Sequence, residues 1–208
     1  TEYRFHEHDK LAHYANAAFD IEFNFPMGFK ELEGIHSRTD YDLGAHQKVS
    51  GKKIQYFDPE INESYVPYVV ETSIGLDRTF LAILTYGYVE QTLEDGSERV
   101  VMRIPPFLAP IKAAILPLVK KDGLPEKAME IFDSLKNDYM CFYEEKDSIG
   151  KRYRRMDAIG TPYCITVDHQ TLEDNTVTIR ERDTMQQDRI DMGKISGIIS
   201  DRMKLRKI

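Results

Sequence analysis

Residues 68–78 combine side chains that could bind an amine with one that could bind a phosphate. An apolar, β-rich run leads into Glu71 and Ser73, which stand two positions apart. Side chains two apart on a strand point to the same side. A carboxylate and a hydroxyl oxygen both accept hydrogen bonds from an ammonium group. Glu71 and Ser73 could therefore face one small amine together.

The phosphate-binding candidate follows directly after these acceptors. The chain turns at Gly75, which permits close backbone approach and unusual backbone angles, and a helical pattern runs from Leu76 to Gln91. Arg78 lies in its first turn, and a planar guanidinium suits phosphate oxygens. Arginine is unfavourable at the positive end of a helix dipole, which favours an anionic partner, although Asp77 alone could offset it. An amine site beside a phosphate site indicates an enzyme that joins an amino acid to a nucleotide.

The composition is that of an ordinary globular protein. The 208 residues are 41% hydrophobic and 30% charged, enough for one large domain or two small ones. No apolar run reaches the roughly 20 residues that cross a bilayer, and no secretory signal opens the chain, so we expect no membrane partner. Cys141 and Cys164 lack CxxC spacing, which predicts neither a disulfide framework nor a cysteine-built zinc site and fits a cytoplasmic location.

Charge is distributed unevenly along the chain. The net charge is −7, with −8 in residues 1–104 and +1 in residues 105–208. The second half holds a basic cluster at 151–155 and a basic tail at 202–207. From charge alone, a solvated helix face is the favoured interpretation of such a cluster.

Two sets of polar residues in the first half are each explained without a functional role. Five of the six histidines lie between His6 and His46, but they lack the spacing of a helical zinc pair, so surface or hydrogen-bonded histidines are favoured. Carboxylates and an arginine crowd residues 31–43, where burial without partners would be costly. In isolation this segment is interpreted as an ion-paired strand edge, and the alternative is a polar pocket wall.

Proline and turn signals divide the chain near Ile104-Pro105-Pro106, which predicts one domain at 1–104 and another at 105–208. The first is predicted to be mainly β before its helix, with strands at 20–25, 53–57 and 66–70. In the second, strands and helices alternate in a βαβαββα order typical of a compact α/β domain. Its strands are expected at 113–119, 139–143, 163–167 and 176–179, its helices at 125–137, 149–159 and from 195 on, with a turn at 172–175.

Glu71-Thr72-Ser73-Ile74-Gly75-Leu76-Asp77-Arg78 resembles motif 3 of the class II aminoacyl-tRNA synthetases, in the form found in the bacterial, single-chain glycyl-tRNA synthetase family. Further stretches resemble the same family in order, so the resemblance covers essentially the whole chain. They are Lys10–Tyr14, Asp20–Phe23, Glu31–Ile35, Arg38–Leu43, Leu108–Lys112, Ile149–Arg155 and Thr176–Asp183. A lone GLDR would be a weak signal, whereas this series is a specific one.

The resemblance implies an α/β (α+β) fold. It comprises the C-terminal part of the class II antiparallel-sheet catalytic domain and then an α/β anticodon-binding domain with a mixed five-stranded sheet. It also implies activation of glycine by ATP and Mg²⁺, transfer to tRNA(Gly), and a homodimeric full-length enzyme. Any side chain larger than that of glycine would collide with the walls of a tight pocket, so larger substrates are excluded by overlap.

Residue roles follow from the same resemblance. Arg78 and Glu71 are the expected catalytic residues, and Glu31 is the expected Mg²⁺ ligand. The expected glycine-binding residues are Arg38, Glu71, Thr72, Ser73, Ile74 and Gly75. The expected ATP-binding residues are Glu31, Leu32, Gly75, Leu76, Asp77 and Arg78. The expected tRNA-binding residues are Arg152, Arg154, Arg155, Arg180 and Arg182, for which phosphate or base contact becomes at least as good an interpretation as a solvated face.

The sequence departs from the family pattern in one respect. Motif 1, which forms the dimer interface, and motif 2, whose arginine binds the α-phosphate, are not found upstream of Glu31. We therefore expect the chain to represent the C-terminal portion of the synthetase and to be inactive alone. Two alternatives remain open, a non-catalytic tRNA-binding module and an accessory subunit of mitochondrial DNA polymerase. Glu71, Ser73 and Arg78 together argue against both, because a binding module needs none of them.

Overall fold

The structure is a computed structural model that describes residues 2–204. Backbone contacts divide the chain into two compact units, Thr1–Thr85 and Tyr86–Ile208. The division falls before the hairpin that precedes Ile104, whereas the predicted functional boundary lies after it. That boundary between a catalytic part and an anticodon-binding part stays a prediction. No helix among residues 2–204 is long and apolar enough to cross a membrane.

The first unit is built around a four-stranded antiparallel sheet. Its elements are β1 (Tyr3–Glu7), β2 (Ala17–Phe25), β3 (Gly28–Ser37), α1 (Tyr41–Ser50), β4 (Tyr56–Asp58), β5 (Glu63–Tyr65), β6 (Val70–Ile74) and α2 (Leu76–Gly87). The sheet has the order β1-β2-β3-β6, and β4 and β5 form a separate pair. A small core joins Phe23 and Phe25 of β2 to Ala82 of α2. This contact holds α2 beside the sheet.

The second unit contains a mixed five-stranded sheet, as predicted. Its elements are β7 (Tyr88–Thr92), β8 (Glu98–Met102), β9 (Ala113–Pro117), α3 (Leu124–Leu135), β10 (Cys141–Tyr143), α4 (Ile149–Ala158), β11 (Tyr163–Val167), α5 (His169–Asp174), β12 (Thr176–Glu181), β13 (Gln187–Asp191), a 3₁₀ turn (Met192–Lys194) and α6 (Ile195–Met203). The sheet order is β10-β9-β11-β12-β13. β9 pairs in parallel with β10 and β11, and β12 pairs antiparallel with β11 and β13.

The core of the second unit lies between this sheet and its helices. All residues of β9 and β11 are buried, as expected for central strands covered on both faces. α3 buries Leu124, Ala128, Ile131 and Leu135 against them, which is the helical spacing that the sequence predicted. The strands at 20–25, 113–119 and 163–167 and the helices at 125–137, 149–159 and from 195 on are confirmed within a few residues at their ends.

Four local predictions are wrong, the first being the strand expected at 53–57, since β4 begins only at Tyr56. The helix from Leu76 ends at Gly87, because Tyr88–Thr92 pairs with β8 as a hairpin. The strand expected at 66–70 begins only at Val70, just beyond Pro67, which has no backbone N–H to donate to a sheet. Residues 172–175 are the end of α5 rather than a plain turn, and Asn175 ends this helix in the left-handed conformation.

Candidate functional site

One face of the four-stranded sheet carries two rows of mostly polar residues. Strand register pairs His6 with Asp20, Asp20 with Gly34, and Gly34 with Ser73. Residues directly opposite each other across antiparallel strands share a face. Sequence reasoning found Ser73 but missed Asp20 and Gly34, because their position beside it depends on the pairing of distant strands.

The second row places Glu71 on the same face as Ser73. It runs from Ala18 through His36 to Glu71. The prediction that Glu71 and Ser73 share one side of a strand agrees with β6. Thr72 and Ile74 alternate to the other face, so they could contribute to a ligand site on the polar face only through their backbone.

Arg38 holds the Glu71 carboxylate in place. Its Nη1 donates a hydrogen bond to Glu71 Oε2 at 2.6 Å, and its Nε donates to Asp42 Oδ2 at 2.5 Å. The guanidinium also lies over the Tyr14 ring, 4.1 Å from the centroid. The hydrogen bond to Asp42, followed by the one to Glu71, raises the pKa of Arg38 above its ordinary value. Arg38 thus bridges two carboxylates, and Glu71 keeps its second oxygen free of this contact.

The predicted phosphate ligand meets the predicted metal ligand at the start of α2. Arg78 Nη1 donates a hydrogen bond to the backbone carbonyl of Glu31 at 2.6 Å, and it lies 3.4 Å from Glu31 Oε2. About half of each side chain is exposed. The arginine is therefore positioned by β3 while its remaining donors are open to an anion.

The other predicted nucleotide residues surround this contact unequally. Leu76 and Asp77 are exposed in the first turn of α2, whereas Leu32 packs partly against the small core beneath. Gly75 does not adopt the unusual backbone conformation that the sequence suggested. It has no positive φ, and a Cβ there would meet the Arg78 side chain only at ordinary contact distance, 3.7 Å. Within this chain, Gly75 leaves room but relieves no strain.

Glu31 fits a Mg²⁺ ion held mainly by nucleotide phosphates. No group of three or more His, Cys, Asp or Glu side chains within residues 2–204 could hold a metal ion by itself. Mg²⁺ in nucleotide sites is usually bound by one or two carboxylates plus the substrate phosphates. A half-exposed carboxylate beside a phosphate-binding arginine suits that arrangement.

Three of the five arginines predicted to bind tRNA are buried inside the second unit. Arg152, Arg180 and Arg182 are exposed by 1%, 5% and 2%. Arg180 makes two hydrogen bonds to Asp157, at 2.9 and 3.1 Å, and Arg182 donates to the carbonyl of Gly160 at 2.9 Å. Burial and these internal hydrogen bonds argue against a tRNA contact for Arg152 and Arg180, whereas Arg182 also lines the groove described below, and the three assignments stay predictions.

Arg152 shows why the charge pattern was misleading. Its guanidinium donates to three backbone carbonyls, those of Pro117 (2.6 Å), Leu118 (3.1 Å) and Glu144 (3.1 Å). Burial lowers its pKa from the ordinary value. The arginine thus ties α4 to the end of β9 and to the segment after β10.

Arg154 and Arg155 lie nearer the surface but already have protein partners. Arg154 donates to Ser97 Oγ at 2.9 Å and to the carbonyl of Glu98, both in the hairpin. Arg155 lies 2.9 Å from Asp147 Oδ2. They stay candidates for contact with tRNA.

The second unit has a groove that the sequence did not reveal. Its volume is about 750 Å³, and its floor includes Tyr163 at the start of β11. The other lining residues are Pro105, Pro106, Phe107, Pro162, Glu181, Arg182, Asp183, Asp201, Arg202 and Lys204. The Arg202 guanidinium lies 5.4 Å from the Tyr163 ring centroid and is paired with Glu181. Aromatic surfaces beside arginine and carboxylate groups are what a splayed-out base requires.

Comparison with known proteins agrees with this arrangement. Residues 112–202 match the family described as "Anticodon binding domain". The second unit therefore contains a region similar to that family.

Nearly the whole chain is also similar to longer proteins, and three of these are named glycine–tRNA ligase. It is 54% identical to the one from Chlorobaculum tepidum, 53% to that from Borrelia hermsii and 52% to that from Macrococcus caseolyticus. The matches cover 95%, 94% and 98% of this chain but 42%, 45% and 44% of those proteins. The chain thus corresponds in sequence to the C-terminal portion of glycyl-tRNA synthetase and spans less than half the length of these curated relatives.

Proposed function

We propose that this chain is part of a glycine–tRNA ligase and supplies one wall of its glycine and ATP site together with its tRNA-binding domain. The observation that carries the proposal is the contact between Arg78 and Glu31, 2.6 Å from guanidinium to backbone carbonyl. It supports the proposal because it joins the residue that we propose as a phosphate ligand to the residue that we propose as a metal ligand. Identity above 50% to glycine–tRNA ligases supports the same assignment.

In the proposed reaction the glycine carboxylate attacks the α-phosphate of ATP in line, and pyrophosphate leaves. Glu71 and Ser73 accept hydrogen bonds from the glycine ammonium, and Arg38 orients Glu71. Arg78 binds phosphate oxygens, while Glu31 holds Mg²⁺, which neutralises phosphate charge. Positioning and charge neutralisation supply the rate enhancement, without a covalent enzyme intermediate.

The groove of the second unit is our proposed site for an anticodon base of tRNA(Gly). Phe107, which is 41% exposed, offers a stacking surface, and Arg202 and Glu181 offer a donor and an acceptor for base edges. In this proposal the full-length ligase is a homodimer of the cytoplasm, where tRNA is charged for protein synthesis.

A chimeric ligase tests the assignment. In it, this chain replaces the matching 42% of the C. tepidum protein. We expect the chimeric ligase to charge tRNA(Gly) with glycine and the chain alone to charge none. A chimeric ligase that binds tRNA(Gly) but forms no glycyl-adenylate would favour the non-catalytic tRNA-binding module instead.

The groove has its own test, made with the chain itself and a fluorescent tRNA(Gly). Arg202→Ala should weaken binding by about tenfold, the scale of one lost charged hydrogen bond, and should reduce the salt dependence of the affinity. The matched control is Lys136→Ala on α3, an exposed cation in a surface ion pair. Equal affinities for the two variants would place tRNA elsewhere.

A further inference from the structure

The Asp20 carboxylate is largely buried, and its Oδ1 receives no hydrogen bond from residues 2–204. The residue is 8% exposed, and His8 Nε2 lies 2.9 Å from its Oδ2. His8 Nε2 has no other hydrogen-bond partner, and its contact with Oδ2 is an ion pair only when the imidazole is protonated. No other donor in residues 2–204 bonds to the carboxylate. Buried charged groups are normally both paired and hydrogen-bonded, so Oδ1 of Asp20 has capacity for a cationic partner.

The position of Asp20 puts this capacity next to the proposed glycine site. Asp20, Gly34 and Ser73 lie in one row across β2, β3 and β6. A Cβ built on Gly34 would lie 3.6 Å from Asp20 Oδ1 and 3.1 Å from Cε1 of the His36 ring, so both side chains border the space above the glycine. Asp20 and Ser73 lie on the two strands that flank β3, about 10 Å apart, and Oδ1 spans part of that distance because it lies near the Cβ position of Gly34. One ammonium nitrogen with two hydrogen bonds joins oxygens about 5–6 Å apart.

We propose that Asp20 is a further acceptor for the ammonium group of the substrate, acting with Glu71 and Ser73. This inference rests on the proposed function. A primary ammonium has three N–H donors, and the face offers three acceptors for them. Glu71 gives one oxygen to Arg38 and keeps the other. Gly34 matters because a side chain there would fill the space between Asp20 and Ser73. His8, whose Nε2 lies 2.9 Å from Asp20 Oδ2, is a positioning residue for the carboxylate.

The test uses the chimeric ligase and pyrophosphate exchange. Asp20→Asn keeps the shape of the side chain but removes its charge. It should raise the KM for glycine by at least about tenfold and leave the KM for ATP within about twofold. The matched control is Glu33→Gln, which neutralises a carboxylate of β3 on the opposite face of the same sheet and should change neither constant.

A second measurement separates an ammonium acceptor from a merely structural acid. Two inhibitors are compared, glycyl-sulfamoyl adenosine and its glycolyl counterpart, in which a hydroxyl replaces the ammonium. Asp20→Asn should reduce the ratio of the affinities for the glycyl and glycolyl compounds by the same factor of about ten. His8→Gln, which retains an amide donor towards Asp20, should keep most of that preference.

The outcomes distinguish this inference from the proposed function. A chimeric ligase with no glycine-dependent exchange would overturn the proposed function and this inference with it. An active chimeric ligase in which Glu71→Gln raises the KM for glycine but Asp20→Asn does not would overturn only the role of Asp20. Equal increases in the KM for glycine and the KM for ATP, or an unchanged ratio of inhibitor affinities, would show that Asp20 has only a structural role. Either result would also overturn the inference.

Discussion

Arg78 Nη1 lies 2.6 Å from the backbone carbonyl oxygen of Glu31, so the first turn of α2 is bonded directly to β3. This contact uses one of the five N–H donors of the guanidinium. The remaining donors belong to a side chain that is half exposed, and the cation stands where a helix dipole opposes it. The contact therefore fixes the direction of Arg78 without satisfying its charge.

Arg78→Ala in the chimeric ligase should lower kcat/KM for glycine-dependent pyrophosphate exchange by about 100- to 1,000-fold. This is the scale of a lost charged contact to a reacting phosphate. Lys48→Ala, which removes an exposed cation from α1, should leave exchange unchanged. Near-normal adenylate formation by the Arg78 variant would refute its role as a phosphate ligand.

Arg152→Met should destabilise the chain by about 2–4 kcal/mol, because the carbonyls of Pro117, Leu118 and Glu144 would lose their donor in the interior. Urea unfolding followed by circular dichroism measures the change. Lys151→Met, at the exposed neighbouring position, should shift stability by no more than about 0.5 kcal/mol. Equal effects of the two substitutions would contradict a structural role for Arg152.

The ion pair between Asp168 and Arg189 should make stability depend on pH. Arg189 Nη1 lies 2.5 Å from Asp168 Oδ2, and this hydrogen bond lowers the pKa of the carboxyl from its ordinary value. The stabilisation is therefore fully present above the unfolded-state pKa of about 4 and is lost as the pH falls towards the lower folded-state pKa.

Asp168→Asn keeps an acceptor for the start of α5 and removes only the charge. At pH 7 it should cost about 1 kcal/mol, and the difference from the unsubstituted chain should shrink below about pH 4. Asp133→Asn, in an exposed pair with Lys136, is the control and should show little effect. A constant difference between pH 7 and the acid range would rule out the ion pair as its source.

Neither cysteine should react readily in the native chain. Burial raises the pKa of Cys141 to about 11 and that of Cys164 to about 12, and only the thiolate is an effective nucleophile. Iodoacetamide at about pH 8 should label both thiols in urea and neither rapidly without it, as measured by intact mass. Rapid native labelling of Cys164 would contradict its burial.

Local sequence patterns predicted the parts of the site that lie on one element. Glu71 and Ser73 are two residues apart on β6, and Arg78 lies in the first turn of the next helix, so strand and helix periods suffice to place them. Asp20 and Gly34 could not be found in this way. Their alignment with Ser73 depends on the register of three strands, which is fixed by pairing between distant parts of the chain.

The sequence pattern also gave no sign that arginines of the second unit are buried. A run of basic residues at 151–155 favours a surface, yet Arg152 points inward because free carbonyls beside β9 accept its donors. The end of α2 is also set by tertiary contact. The helical apolar pattern continues past Gly87. In the structure Gly87 lies close to β8, since a Cβ built on Gly87 would be 3.2 Å from Met102 Sδ. The residues that follow Gly87 pair with β8 and do not extend the helix.

The most direct test of the account is the amino-acid dependence of ATP–pyrophosphate exchange by the chimeric ligase. Each of the twenty amino acids is supplied in turn, and the chain alone is assayed beside it. We expect exchange with glycine only, none from the chain alone, and loss of the glycine signal in Glu71→Gln. Exchange driven by another amino acid, or glycine-dependent exchange that survives Glu71→Gln and Arg78→Ala unchanged, would contradict the assignment of this face to glycine and ATP.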